Sequence, residues 1–151
     1  MSSVPASNVA TFANGCFWGT EHIFMQHFGK KGLLKSNVGY VGGDMNKYPN
    51  PSYEQVCSGR TGYAEASQFE FDPNQVSYAE LVEFFYRTHD PTQLNAQGPD
   101  RGSQYRSAIF AHTDEQESTA KEVTKQVQEK HFSAKGSRIV TTIEQLPVSA
   151  L

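Results

Sequence analysis

The spacing of apolar and polar positions changes period several times along the 151 residues, and each change marks an element. Val9 to Ala13 is a short β-favouring run that Asn14-Gly15 breaks, so a first strand ends just before Cys16. From Trp18 to Phe28 the apolar residues Ile23, Phe24, Met25 and Phe28 share one helical stretch, which Gly29 closes. This puts Cys16 on a turn at the N-terminus of a helix. A second strand is predicted from Leu33 to Val41, and Gly42-Gly43-Asp44 with Tyr48-Pro49-Asn50-Pro51 then marks a loop. A third runs from Tyr63 to Phe71, with Tyr63, Glu65, Ser67, Phe69 and Phe71 on one parity. Glu65 therefore shares a strand face with three aromatic residues.

The second helix carries the clearest signals. Ser77-x-x-Glu80 is a capping box ahead of Leu81, Val82, Phe84, Phe85 and Tyr86, and Asp90-Pro91 ends the helix. A loop from Asp90 to Gln104 leads into a fourth strand, Tyr105 to Phe110. Thr113-x-x-Gln116 opens a polar surface helix reaching about Phe132, with a thin apolar stripe of Ala120, Val123 and Val127. Arg138 to Leu146 closes with a β-favouring run. Up to strand four the order is β-α-β-β-α-β, the ferredoxin-like split βαβ signature, so the expected fold is α+β with an extra C-terminal helix and strand. Residues 1–151 are read as a single domain, since no linker, repeat or low-complexity tract interrupts them.

Composition narrows the functional classes. Thirteen Lys and Arg against sixteen Asp and Glu give a net charge of −3, with no run of like charges longer than Lys30-Lys31. Nucleic-acid and anionic-membrane surfaces depend on concentrated positive charge, so neither partner is expected. No apolar run approaches a membrane span and the N-terminal residues show no signal-peptide pattern, so a cytoplasmic protein is expected, acting as a monomer. The two cysteines, Cys16 and Cys57, are too few for a disulfide framework or an all-cysteine zinc site. No His or Cys pair has metal-ligand spacing, and Gly39-x-x-Gly42-Gly43 lacks the helix and Lys-Ser/Thr of a phosphate loop, so no bound cofactor or metal is expected.

Gly15-Cys16-Phe17-Trp18-Gly19 is the most pointed feature. A helix N-terminus favours a thiolate through its unpaired N–H groups and dipole, which makes Cys16 a candidate nucleophile, and Phe17 with Trp18 offers an apolar wall. A buried cysteine beginning a core helix accounts for the same residues equally well. A strand glutamate such as Glu65 is, taken alone, more often turned to solvent. Taken alone, Tyr53 and Tyr105 are more often core or half-buried aromatics, and Asp100 in Pro-Asp-Arg-Gly a turn residue. A thiol hydrolase pairing Cys16 with His89 and Asp90 is the chief enzymatic rival.

The run Gly15-Cys16-Phe17-Trp18-Gly19-Thr20-Glu21 resembles the active-site signature of the A-type peptide methionine sulfoxide reductases. Further matching blocks follow in order: Gly39 to Gly43, Pro49 to Tyr53, Val56-Cys57-Ser58-Gly59, Ala64-Glu65, His89-Asp90-Pro91 and Gly98 to Ser107. The resemblance covers roughly residues 9 to 145 and implies thiol-dependent reduction of the S epimer of methionine sulfoxide, free or in peptides. It implies that Cys16 attacks the sulfoxide sulfur and becomes a sulfenic acid, while Glu65 protonates the oxygen that Tyr53 and Tyr105 hold. It assigns Asp100 to support of the pocket, and Phe17 and Trp18 to the wall around the S-methyl group.

A carboxyl held in an apolar setting suits that proton transfer, because a sulfoxide oxygen leaves poorly until protonated. Two departures accompany the resemblance. Tyr63 stands where many members have His, and Leu146 to Leu151 stands where members continue into an aromatic segment with Tyr-His-Gln, so a C-terminally shortened variant is expected. Recycling is then assigned to an external thiol such as thioredoxin, glutaredoxin, glutathione or dithiothreitol, with Cys57 the internal candidate for a resolving thiol. The alternative is an inactive relative that binds oxidised methionine without turnover.

Overall fold

In a computed structural model, the described residues are 6–14, 17–29, 32–41, 64–89, 96–97, 100–101, 105–132, 136 and 138–145, with backbone alone for 6, 17, 18, 96, 97, 100 and 101. Strand β1 (Val9–Asn14) passes into helix α1 (Phe17–Phe28) across two residues, Gly15 and Cys16. Gly29 closes α1 as expected, its N–H bonded to the Met25 carbonyl at 2.8 Å. Strand β2 (Leu33–Val41) follows, entered through Gly32 at φ +126°, where a Cβ would also meet Val76 Cγ1 at 2.6 Å. Only glycine fits that entry.

Strand β3 (Ala64–Phe71) leads to helix α2 (Tyr78–Arg87), whose Ser77 hydroxyl accepts from the Glu80 N–H at 3.1 Å in the expected cap. Two-residue strands β4 (Ala96–Gln97) and β5 (Asp100–Arg101) pair within the segment expected to be loop. Strand β6 (Ser107–Ala111) begins two residues later than the predicted Tyr105. Its partner β1 ends at Asn14, which stands opposite Ser107, and Tyr105 and Arg106 lie before that pair. Helix α3 (Asp114–Val127) starts at the predicted Thr113 cap and runs into a π-helical turn, Gln128–Phe132. Strand β7 (Thr142–Gln145) is shorter than the predicted 138–146 run.

The sheet order is β2-β3-β1-β6-β7. β1 lies antiparallel between β3 and β6, β2 is antiparallel to β3, and β7 is parallel to β6. Each β-α-β half is thus split by a strand of the other, an α+β arrangement that follows the predicted element order.

Alternation along the strands divides the sheet into two faces. On one, Phe12, Phe69, Phe71 and Ile109 pack with Phe24 and Phe28 of α1, Leu81, Val82, Phe85 and Tyr86 of α2, and Ala120 and Val127 of α3. The α3 stripe is therefore part of the core. Phe12 stacks on Phe24 and Phe85 with centroids at 5.4 and 5.1 Å, and Phe24 on Phe69 at 4.9 Å, within the range of favourable aromatic pairing. The other face is buried through smaller residues, Ala13, Ala64, Ala66 and Ala108, with Val41 and Phe110. No helix among the described residues is long and apolar enough to cross a membrane.

Candidate active site

Glu65 is 2% exposed, and its parity with Phe69 and Phe71 turns it to the helix-covered face, as the alternation predicted. It is not alone at that level. Tyr40 of β2 stands opposite Glu65. The β1–β3 register, continued two residues beyond Phe12 and Ser67, puts Asn14 beside Glu65 on its other side. Asn14 is in turn opposite Ser107, and the β6–β7 register brings Ser107 level with Thr141. Tyr40, Glu65, Asn14 and Ser107, with Thr141 just before β7, form a polar row across the sheet, at the end where β1 gives way to α1.

Polar groups so enclosed need partners, and side chains from the helices supply them. Asn14 Nδ2 donates to Thr88 Oγ1 at 2.8 Å, and Thr20 Oγ1 donates to Asn14 Oδ1. Thr88 Oγ1 donates to the Phe85 carbonyl at 2.7 Å. His89 lies with Nδ1 2.8 Å from that same carbonyl and Nε2 2.7 Å from Ser107 Oγ. A carbonyl only accepts, so the His89 proton sits on Nδ1 and Nε2 accepts from Ser107 in the neutral ring. Ser107 Oγ is also 2.6 Å from Thr141 Oγ1. Burial raises the Tyr86 phenol above its ordinary pKa, and hydrogen bonds to Thr124 and Thr141 oppose the rise. Burial lowers the Arg106 guanidinium, opposed by Glu144 at 3.9 Å.

The predicted site residues are placed unequally. Glu65 is at the polar end, and Tyr105 is half-buried in a 3-10 turn just before β6. Asp100 lies on β5 with Gln97 opposite, rather than on a turn, and Phe17 and Trp18 open α1; the side chains of these three are not described. Cys16, Tyr53 and Cys57 lie outside the described residues. His89, considered as a base for Cys16, is engaged with Phe85 and Ser107. Among the described residues, no group of three or more His, Cys, Asp or Glu is gathered as a metal site.

Sequence reasoning passed over Asn14, Thr20, Thr88, Ser107 and Thr141. The available signal was a cluster of small polar residues at element ends, which reads equally as turn chemistry.

A family model described as peptide methionine sulfoxide reductase matches residues 8–148. The chain belongs to that family. It is 50% identical over 139 residues to the peptide methionine sulfoxide reductase MsrA of Deinococcus radiodurans, an alignment covering 92% of this chain and 64% of the relative. The MsrA of Haloquadratum walsbyi is 47% identical, with 93% and 75% covered. The chain thus spans about two thirds to three quarters of the length of these curated relatives. Mxr1 of Saccharomyces cerevisiae in reduced form superposes with a TM-score of 0.86 at 39% identity, covering 95% of this chain and 79% of that one. Methionine sulfoxide reductase A of Corynebacterium diphtheriae superposes at 0.83 and 35% identity, with 98% and 68% covered. A further structure of Mxr1, in complex with Trx2, matches at 0.67 and 27% identity. Membership of the peptide methionine sulfoxide reductase family makes the chain an oxidoreductase by class. The relatives named here give the binding-only alternative no support.

Proposed function

We propose that the protein reduces the S epimer of methionine sulfoxide, free or in peptides, to methionine at the expense of an external thiol. Family membership supports the reaction class, and the observation that carries the local reading is Glu65. It is a buried carboxyl on the helix-covered face, level with the strand end from which Gly15 and Cys16 lead into α1. Chain connectivity keeps the Cys16 Cα within about 7 Å of the Asn14 Cα, since two residues reach no further.

In this reading the Cys16 sulfur attacks the sulfoxide sulfur while Glu65 gives a proton to the departing oxygen. A proton donor must hold its proton until the substrate arrives, and removal from water is the general way for a carboxyl to do so. Tyr53 and Tyr105 hold the oxygen, Asp100 supports the pocket, and Phe17 with Trp18 enclose the S-methyl group. The protonated oxygen passes as hydroxyl from the substrate sulfur to the Cys16 sulfur as the bond between the two sulfurs breaks, so methionine leaves and Cys16 is left as a sulfenic acid. One external thiol converts it to a mixed disulfide with loss of water, and a second thiol releases Cys16 and an oxidised reductant. The Mxr1 complex with Trx2 supports a thioredoxin-type reductant; glutaredoxin, glutathione and dithiothreitol supply the same chemistry, and Cys57 is the internal candidate for the first thiol.

The test is turnover of single-epimer blocked methionine sulfoxides with dithiothreitol. Many methionines formed per protein from the S epimer, none from the R epimer, and loss of turnover in Cys16→Ser are the expected results. Absence of turnover without oxidation of Cys16 would overturn the proposal.

A further inference from the structure

We propose that Asn14 is the positioning residue of Cys16, clamping the β1–α1 connection from both sides; the inference rests on the reading of Cys16 as nucleophile. Asn14 is the last residue of β1 and Thr20 sits in the first turn of α1, so their hydrogen bond closes a side-chain bridge across the chain segment that contains Cys16. The amide has one orientation that satisfies its neighbours. Thr88 Oγ1 gives its proton to the Phe85 carbonyl and so presents lone pairs to Asn14, which requires the NH2 on that side. The Asn14 carbonyl is left for Thr20. The clamp is therefore anchored through Thr88 to the α2 C-terminus.

All of these side chains are removed from solvent to some degree, with Asn14 at 7% and Thr20 at 5% exposure, which makes the bridge a fixed part of the interior. Its function follows from what a helix N-terminus does for a thiol. The dipole and free N–H groups favour the thiolate only within the first turn, so the first turn must be held in register with the sulfur. The bridge joins the residue two before Cys16 to the residue four after it.

The experiment measures alkylation of Cys16 by iodoacetamide between pH 5 and 10, followed on the Cys16 peptide by mass spectrometry with Cys57 as internal comparison. Steady-state kcat and KM are measured on the same samples. Thr20→Val keeps the shape and removes the hydroxyl; it is expected to raise the alkylation midpoint, lower kcat about three- to tenfold and leave KM in place. Thr20→Ser, which restores the hydroxyl, is expected to recover the wild-type profile. Asn14→Asp places an acceptor against Thr88 and a negative charge two residues before Cys16 in the chain, and is expected to shift the midpoint furthest.

An unchanged Cys16 profile in Thr20→Val, or an equal loss in Thr20→Ser, overturns the inference. Shifted alkylation in a protein that reduces no sulfoxide would instead leave the clamp standing and remove the proposed reaction. Thermal unfolding of each variant separates these results from loss of the fold, and Thr20→Ser carries the decision if Asn14→Asp does not fold.

Discussion

The middle and the end of one protein layer are built on opposite rules. In the middle, where α1 and α2 cross the sheet, Phe12, Phe24, Phe69 and Phe85 stack without a polar atom among their side chains. At the end, one strand level carries Tyr40, Glu65, Asn14, Ser107 and Thr141, joined to Thr20, Thr88 and His89. Apolar packing is non-directional and tolerates small displacements, so it secures the fold without fixing any one group. Hydrogen bonds among buried groups are directional, and each member costs free energy if its partner moves. The polar end is suited to holding a reactive group in place, and the aromatic middle to supplying the stability that such an end requires.

Truncation in the middle should have the largest effect on stability. Phe12→Ala removes a fully buried ring that stacks on three others, and the expected loss is about 3–5 kcal/mol, read as a lowered denaturant midpoint. A loss below about 1 kcal/mol would mean that the middle is not where the stability resides. Glu65→Gln should do the reverse. It keeps the size of a buried side chain and removes its transferable proton, so turnover of the S epimer should fall roughly 10²–10⁴-fold while the thermal midpoint changes little. Retained turnover would make Glu65 a structural member of the row and break the comparison.

The middle was the legible half. Phe69 and Phe71 alternate on β3, and Leu81, Val82, Phe85 and Tyr86 follow a helical period behind the Ser77 cap, so their burial follows from periodicity alone. Boundaries were less legible where pairing decides them. Nothing in Tyr105-Arg106 forbids a strand, but β6 starts at Ser107, opposite the last residue of β1. The α3 stripe of Ala120, Val123 and Val127 is thin, and the polar Gln116 and Thr124 of the same helix extend it. Both are committed inward, Gln116 to the Val9 carbonyl at 2.8 Å and Thr124 to Tyr86 at 2.5 Å.

The polar end was least legible, since by local rules Asn14 breaks a strand, Thr88 comes just before the helix stop at Asp90-Pro91, and Ser107 lies within a strand. Only the registers bring them together. Glu65 was the exception: its parity showed the face, while its role came from the resemblance.

Two deletions of a single serine hydroxyl sharpen the contrast by the smallest margin. Ser77→Ala at the exposed cap of α2 removes one bond to the Glu80 N–H, a group that water reaches readily, and should cost about 1 kcal/mol with turnover unaltered. Ser107→Ala removes the same atom at 4% exposure, where His89 Nε2 and Thr141 Oγ1 both lose a partner. Water does not replace an enclosed partner cheaply, so the cost should reach about 1–3 kcal/mol. Ser107 stands opposite Asn14 on the neighbouring strand, so turnover should fall as well when the row loosens there. Equal stability losses with equal turnover in the two variants would show that the end of the layer is merely wetted surface, and the division between a supporting middle and a positioning end would fail.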